Sequence, residues 1–397
     1  MTTLAKAPAR LTLWLAATQL PLGTAIVEAL RASQWDGALR VGSTLAGEAT
    51  GLAAALSASS AGDDLRSALA ASEAGVFFLG SPGAFASLPD AAQRLADVAL
   101  LENARKRGVT VTSLEPLPAS LIELLEVQVD SSAPASIANA PGVGVLGGIG
   151  GLAGVEGRSV MAGQGRGGSL DSDRLPSWVV QAGLARWSAS VKAALDVAEQ
   201  LGPVRSMSVE SIGPAWAGSL GARIADAMDL AMLFLGEAES VDAAFDAPSE
   251  GGLRPTSGNT LRDLRGDLTA NLRFSGGRSA TVYGSSEAGQ PRVRATLMTS
   301  KGRVSVGSGG FEWINVDGSV VESPAVGGSA PDATAQFASA IADQLLRLDS
   351  AGAEHDMRCG ASAGNAATML AMAQAALLSC RTGEAESPAT MLKMAGG

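Results

Sequence analysis

Histidine is the side chain that most often moves protons near neutral pH, and this sequence contains a single one, His355. It lies in the polar segment Ala353-Glu-His-Asp-Met357, with no second histidine to share a metal ion. We therefore expect His355 to be a surface residue and not a metal ligand.

The two cysteines give no sign of a metal centre either. Cys359 and Cys380 lie 21 residues apart, without a C-x-x-C pair or a histidine beside them. We expect both to be small buried hydrophobic residues. Trp187 and Trp216 could stack on a sugar in a cleft, or they could be ordinary core or interface residues.

Composition sets the broad class of the protein. A content of 46% hydrophobic and 17% charged residues over 397 positions is typical of a soluble globular chain with a sizeable core. The formal net charge of -10 opposes polyanions, so nucleic acid and acidic membrane surfaces are poor partners. No apolar run reaches the roughly 18 residues of a spanning helix. We expect a cytoplasmic protein without a membrane segment.

The beginning of the chain allows two interpretations. Lys6 and Arg10, followed by the apolar residues 11–17, resemble a short signal peptide. The same residues could instead form a buried first strand. An amphipathic helical pattern follows directly, which a cleaved leader would not require, so the strand is favoured.

Short apolar runs alternate with helical patterns in the first part of the chain, as in parallel sheets with crossover helices. Ile26, Val27 and Leu30 share one face of a helix predicted over 23–33, and a second helix is predicted over 91–107. The predicted strands are 11–17, 38–42, 75–79 and 109–113. Residues 1–125 should therefore form a Rossmann-like domain.

The composition then changes to glycine, serine, alanine and proline from about residue 131 to 176. We assign residues 126–185 to a connection or insertion, either packed on the protein or flexible. Its glycines follow no clear strand and open no clear helix, so a phosphate-binding loop is not favoured there.

Residues 186–397 should form an α+β domain with closing helices. Leu268, Ala270, Leu272 and Phe274 alternate with polar residues, which predicts a strand with one buried and one exposed face. Further short strands separated by tight turns indicate a largely antiparallel, open-faced sheet. Helices are predicted over 187–201, 220–235, 333–348 and 362–381.

Four local patterns, in this order along the chain, carry a resemblance to a known family. They are Leu114-Glu-Pro-Leu-Pro118, Leu201-Gly-Pro-Val-Arg-Ser206, Ala222-Arg-Ile-Ala-Asp-Ala-Met-Asp229 and Ser379-Cys-Arg-Thr-Gly383. With the predicted elements, the chain resembles the glucose-fructose oxidoreductase, inositol dehydrogenase and MocA family. The resemblance implies an NAD- or NADP-dependent oxidoreductase acting on a sugar, cyclitol or related polyol, assembled through its C-terminal sheet.

The resemblance also identifies the positions that would bind the coenzyme. The family's Gly-x-Gly-x-x-Gly turn corresponds to Thr18, Leu20 and Gly23, so only the glycine that permits close helix packing is present. Leu20 places a side chain near the expected pyrophosphate, and Pro21 lacks an amide donor. Ser43 replaces the acidic residue that would bind the ribose hydroxyls.

The catalytic positions implied by the resemblance are altered too. Glu115, followed by Pro116, stands in place of the family's lysine, and Asp226 stands in place of its general-base histidine. Ala222 replaces the first aspartate of the helix motif, and Asp229 matches the last. Glu115 and Asp226 could form a two-carboxylate site if burial raises a pKa. Alternatively, Glu115 caps or salt-bridges a loop and Asp226 lies on a solvated helix face.

Two functions follow from these substitutions. The chain is an oxidoreductase of reduced or altered activity, in which Asp226 acts as the base and Glu115 contacts the substrate. Alternatively, it is a catalytically inactive binding or assembly subunit, in a homo- or hetero-oligomer formed through the C-terminal sheet. The altered turn at 18–23 and the missing lysine and histidine favour reduced or lost activity.

Overall fold

The computed structural model describes residues 8–86, 91–124, 179–181, 185–246, 260–262, 264–307, 310–322, 332–348 and 363–396. His355, Cys359 and nearly all of the glycine-rich segment lie outside the described residues, as does the Trp187 side chain. Predictions on those residues remain predictions.

The first sheet contains six parallel strands in the order β3-β2-β1-β4-β5-β6. The strands are β1 (Arg10–Trp14), β2 (Ala38–Gly42), β3 (Ser59–Gly62), β4 (Gly75–Leu79), β5 (Val109–Ser113) and β6 (Val179–Gln181). The helices that follow the first strands are α1 (Leu20–Ala32), α2 (Glu48–Ala55), α3 (Leu65–Ala70) and α4 (Ala91–Lys106). The strand order reverses between β1 and β4, the place where α/β proteins commonly bind ligands.

Two strands of the first sheet differ from the sequence-based expectation. The sequence Ser-Ser-Ala-Gly of β3 has no apolar alternation to reveal it. The edge strand β6 comes from the segment 126–185, so that segment contributes to the first sheet. The predicted strand 11–17 ends at Trp14, because Ala17–Gln19 form a 3-10 turn before α1.

The two faces of β1 enter different parts of the core. Leu11, Leu13 and Leu15 pack with α1 and with a later helix, α7 (Ala333–Arg347). Trp14 packs on the opposite face with Phe77 and the residues of α3 and α4. The helix α7 therefore returns from the C-terminal part of the chain and covers the first sheet.

The second sheet contains eight strands in the order β14-β13-β12-β11-β7-β10-β9-β8. Every neighbouring pair is antiparallel except β7 and β10. The strands are β7 (Ser206–Pro214), β8 (Ala238–Asp246), β9 (Asp267–Phe274), β10 (Arg278–Ser285), β11 (Glu287–Met298), β12 (Gly302–Gly307), β13 (Gly310–Asn315) and β14 (Val320–Glu322). The predicted fold class, a Rossmann-like parallel sheet followed by an α+β domain with a largely antiparallel sheet, is confirmed.

One face of the second sheet is covered and the other is open. The remaining helices are α5 (Ala189–Leu201), α6 (Leu220–Leu235), α8 (Ala363–Thr382) and α9 (Pro388–Gly396). Leu268, Ala270 and Leu272 are buried beneath the helices, and the intervening Thr269 and Asn271 are exposed. The helix α6 has the predicted bounds and ends at Gly236, whose φ of 82° suits a glycine. Among the described residues, no helix has the length and apolar character needed to cross a membrane.

Candidate functional site

The candidate site lies where the carboxyl ends of β1 and β4 meet the beginning of α6. The 3-10 turn Ala17–Gln19 and the first turn of α1 form one wall. Thr18 is exposed and Leu20 is half-buried at this turn. Gly23 is buried, and a Cβ at this position would lie 2.7 Å from Leu15 Cδ1. The expectation that Gly23 permits close packing of the helix on the strand is confirmed.

Most backbone amides of this turn already have acceptors within the chain. The Ala16 amide donates to Gln19 Oε1 at 3.0 Å, and the Ala17 amide donates to Glu48 Oε2 at 3.2 Å. The Gln19 and Leu20 amides donate to the carbonyl oxygens of Ala16 and Ala17. Pro21 has no amide hydrogen. Free amides at a helix N-terminus are what a phosphate needs, so these four engaged amides make the turn a poor partner for a dinucleotide pyrophosphate.

The Gln19 side chain forms hydrogen bonds between the end of the first sheet and the turn after β7. Gln19 is 5% exposed, and its Nε2 donates to the Gly80 carbonyl at 2.9 Å and to the Trp216 carbonyl at 3.1 Å. Gly80 follows β4, and Trp216 lies in the turn after β7. One side-chain amide therefore connects the carboxyl edge of the first sheet to the second sheet.

Ser43 lies at the end of β2, as predicted, but its hydroxyl is engaged by a neighbouring carboxylate. Ser43 Oγ donates to Glu48 Oε2 at 2.9 Å, and the same oxygen accepts the Ala17 amide. Glu48 is the first residue of α2, where a negative charge is stabilised by the helix dipole. The structure thus places an acidic group at this edge, five residues after the position inspected in the sequence.

Glu115 joins the loop after β5 to the beginning of α6. Its carboxylate accepts hydrogen bonds from the Ser219 amide at 2.7 Å and from the Ser219 hydroxyl. Ser219 is the N-cap of α6, and its own hydroxyl accepts the Ala222 amide. Burial raises the pKa of Glu115, and the bonds from Ser219 oppose that rise. The interpretation of Glu115 as a capping residue is supported by these contacts, and Pro116 beside it is buried.

Asp226 and Asp229 are both buried on α6, at 3% and 6% exposure. The alternative that Asp226 lies on a solvated helix face is wrong. Asp226 accepts the Ala185 amide at 2.8 Å and the Ser211 hydroxyl at 2.9 Å. Asp229 forms an ion pair with Arg186, which is 2% exposed. The turn Ala185–Trp187 supplies a hydrogen bond to Asp226 and an ion pair to Asp229, so both carboxyls of α6 face the protein interior.

The pKa values of these two carboxyls respond to burial. Burial raises the pKa of Asp226 against the hydrogen bonds from Ala185 and Ser211. Burial also raises the pKa of Asp229 to about 7, although the charge of Arg186 opposes the rise. A carboxyl that titrates near neutral pH is chemically able to exchange protons.

Arg223 lies between the predicted catalytic carboxylates. Its guanidinium interacts electrostatically with both Asp226 and Glu115, and its Nη2 donates to the Ala217 carbonyl at 2.6 Å. The guanidinium also lies 5.3 Å from the Phe337 ring centroid. Glu115 and Asp226 have different hydrogen-bond partners and do not share a proton. The cation between them lowers the pKa of each carboxyl, while burial, on which the two-carboxylate hypothesis depends, raises both.

Four residues of this site were not singled out from the sequence: Gln19, Glu48, Arg186 and Arg223. A signal existed for Arg223. Within the apolar helix α6, charged residues occur at 223, 226 and 229, a spacing of three that places them on one helix face. Gln19 and Arg186 carry no such local pattern, because their partners are distant in sequence.

Metal chemistry finds no support here. Among the described residues, no group of three histidine, cysteine, aspartate or glutamate side chains is arranged to hold a metal ion.

Two other residues considered in the sequence have structural roles. The Trp216 side chain is partly buried against the core of the first sheet, and its backbone carbonyl accepts the hydrogen bond from Gln19. Cys380 is half-buried, and burial raises its pKa to about 11.

Comparison with known proteins identifies the fold. No protein-family model matches the chain, and no curated protein matches its sequence. Among solved structures, scyllo-inositol dehydrogenase from Lactobacillus casei with bound NAD(H) and scyllo-inositol aligns with a TM-score of 0.59 at 14% identity, over 96% of this chain and 99% of that one. A putative myo-inositol dehydrogenase from Sinorhizobium meliloti 1021 aligns with a TM-score of 0.56 at 17% identity, over 96% and 99%.

A third similar structure has a different substrate. Levoglucosan dehydrogenase in complex with NADH and levoglucosan aligns with a TM-score of 0.59 at 12% identity, covering 95% of this chain and 98% of that one. At these identities the likeness shows the fold alone. This chain has the two-sheet fold found in sugar and cyclitol dehydrogenases, in agreement with the resemblance drawn from its motifs.

Proposed function

We propose that this chain, which has the fold of the inositol and levoglucosan dehydrogenases, is a member of the glucose-fructose oxidoreductase, inositol dehydrogenase and MocA family that has lost hydride transfer. It acts instead as a binding or assembly subunit, paired with a second copy or a homologue of the same fold. Its cytoplasmic location stays a prediction.

The hydrogen bonding of the turn between β1 and α1 carries this proposal. Four backbone amides of this turn already donate hydrogen bonds to acceptors within the chain: those of Ala16, Ala17, Gln19 and Leu20. A pyrophosphate at this turn would have to displace Glu48, whose negative charge also opposes it.

The proton-transfer groups support the same conclusion. Hydride removal from a polyol needs a base within hydrogen-bond reach of the reacting hydroxyl. Glu115 is occupied by Ser219, and Asp226 by Ala185 and Ser211. Both carboxyl groups are buried.

The open face of the second sheet is the surface proposed for assembly. Thr281 on β10 and Ser208 on β7 are register partners with exposed side chains at the inner strands. The register row through them crosses seven strands: Asp242, Asn271, Thr281, Ser208, Thr296, Ser305 and Glu312. The middle of this row is uncharged, which suits a self-complementary interface, and its two negative charges, on Asp242 and Glu312, lie at the ends.

The assembly part is tested by sizing with multi-angle light scattering. We expect the wild-type protein to be a dimer or larger and Thr281→Arg to be monomeric, because an unpaired charge would be buried in the interface. Thr50→Arg, an exposed threonine on α2, is the matched control and should keep the wild-type mass. A monomeric wild type, both alone and mixed with a homologue from the same genome, would reject the subunit role.

A second candidate is an NAD- or NADP-dependent oxidoreductase acting on a sugar, cyclitol or polyol. The raised pKa of Asp229, about 7, and its position one helical turn from Asp226 favour it. Under this candidate, Asp226→Asn abolishes turnover of a polyol while the fold is kept. Turnover that is equal in wild type and Asp226→Asn would remove Asp226 from the mechanism.

A further inference from the structure

A cavity of about 250 Å³ lies at the amino-terminal edge of the first sheet, at the opposite end of the strands from the site described above. Its floor is formed by β1, β2 and β4, and it extends to the end of α3 at Ala71 and Ser72. A five-residue strand spans about 16 Å, so this cavity is separate from the carboxyl edge.

The floor of the cavity carries two cations where a parallel sheet normally has apolar side chains. Arg40 on β2 is the register partner of Thr12 on β1, and Arg10 lies two residues before Thr12 on the same strand face. Because side chains of register partners point to one face of a sheet, both guanidinium groups project towards the cavity. Ser59 on β3, the partner of Arg40, continues the row.

The charges in the cavity do not balance. Arg10 forms an ion pair with Glu73, which also lines the cavity. Arg40 forms no ion pair with any described residue. The lining therefore holds one excess positive charge, in a chain whose formal net charge is -10.

The free hydrogen-bond donors lie next to the excess charge. Thr12 is 7% exposed, and its hydroxyl has no hydrogen-bond partner among the described residues. By contrast, the hydroxyls of Ser59 and Ser72 donate to the carbonyls of Leu39 and Ala68 at 3.2 and 2.7 Å. Arg40 and Thr12 thus place a charged donor and a hydroxyl donor on adjacent strands. Phosphate oxygens are the acceptors that a guanidinium and a hydroxyl bind best together.

We propose that this cavity binds a phosphate group through Arg40 and Thr12. The group belongs either to a small phosphorylated metabolite or to free inorganic phosphate. Arg10, paired with Glu73, lies at the cavity rim, and Phe77, the register partner of Thr12 on β4, forms an apolar wall. The proposal is independent of the coenzyme turn and of the assembly surface.

Calorimetric titration with inorganic phosphate and with glycerol 3-phosphate, at constant ionic strength in a phosphate-free buffer, tests it. We expect saturable binding to wild type, with Arg40→Gln weakening it about tenfold or more. Thr12→Val, which keeps the side-chain volume, should weaken it about threefold or more, and Arg40→Lys should retain part of it. Arg31→Gln on the exposed side of α1 removes the same charge elsewhere and should bind like wild type.

The outcomes separate the two sources of the phosphate group. Tighter binding of glycerol 3-phosphate identifies a phosphorylated metabolite, and equal affinities identify free phosphate. A concentration of about 10 mM is high enough to detect a weak site. Absence of binding of both probes to wild type at this concentration would overturn the proposal. Equal affinity in wild type, in a folded Arg40→Gln protein and in a folded Thr12→Val protein would overturn it too.

Discussion

The side-chain amide of Gln19 donates a 3.1 Å hydrogen bond to the backbone carbonyl of Trp216, a residue 197 positions later in the chain. The same amide group donates to Gly80, so one glutamine side chain joins the end of β4 to the turn after β7. This contact lies beside the point of the first sheet where the strand order reverses, the place where α/β folds commonly bind ligands.

Gln19→Ala should destabilise the protein by about 2–4 kcal/mol, because the Ala16 amide and the carbonyls of Gly80 and Trp216 lose their partners together. Urea unfolding followed by circular dichroism measures the change. Gln200→Ala, on the exposed side of α5, is the matched control and should change stability by less than about 0.5 kcal/mol. Equal stability of both variants would show that Gln19 does not hold the sheets together.

The buried pair of Arg186 and Asp229 makes a second prediction. At pH 8, where the Asp229 carboxyl is ionised, Arg186→Met should cost about 3–5 kcal/mol because it leaves a buried carboxylate without its cation. The double variant Arg186→Met/Asp229→Leu should recover most of that loss, since both charges are removed together. Additive losses in this double-mutant cycle would contradict a coupled ion pair.

The pKa of Asp229 predicts a pH dependence with a definite sign. Its folded pKa of about 7 lies above the ordinary value of 3.8, so the folded state binds its proton more tightly than the unfolded state. The stability that this group contributes is fully present below about pH 4 and is lost as the pH rises to about 7. Relative to Asp229→Asn, the wild type should therefore lose unfolding free energy over that range and stay level above it.

The control for this titration is Asp196→Asn, which changes an exposed aspartate on α5. Its difference from wild type should be nearly constant between pH 4 and pH 8. A wild-type minus Asp229→Asn difference that grows with pH would mean that the ion pair with Arg186 lowers the pKa of Asp229 instead of burial raising it.

Sequence patterns were sufficient for the fold and for Gly23, because both depend on local periodicity and on close backbone packing. Alternation in 268–274 correctly predicted the covered and open faces of β9. Leucine spacing and the stop at Gly236 correctly placed α6. Short or polar strands such as β3 and β14 were not predicted, because they form by pairing with neighbouring strands and have no hydrophobic pattern of their own.

The site was harder to predict, because burial of a charged residue depends on segments that are distant in the chain. Asp226 accepts hydrogen bonds from Ala185 and Ser211, and Asp229 is paired by an arginine 43 residues earlier. The engagement of the Ala17 amide by Glu48 likewise depends on how β1 and α2 meet. Motif comparison found the altered positions but not the contacts that now occupy them.

Titration of the purified protein with NADH and with NADPH, followed by fluorescence, tests the loss of hydride transfer most directly. The Arg40→Gln protein is titrated in parallel. This control separates coenzyme binding at the turn before α1 from pyrophosphate binding at the amino-terminal cavity. We expect no saturable binding up to about 1 mM of either coenzyme, which corresponds to less than about 4 kcal/mol of binding free energy. Micromolar affinity that persists in Arg40→Gln would contradict the account, because the turn at Ala17–Gln19 would then have to release Glu48 and accept a pyrophosphate.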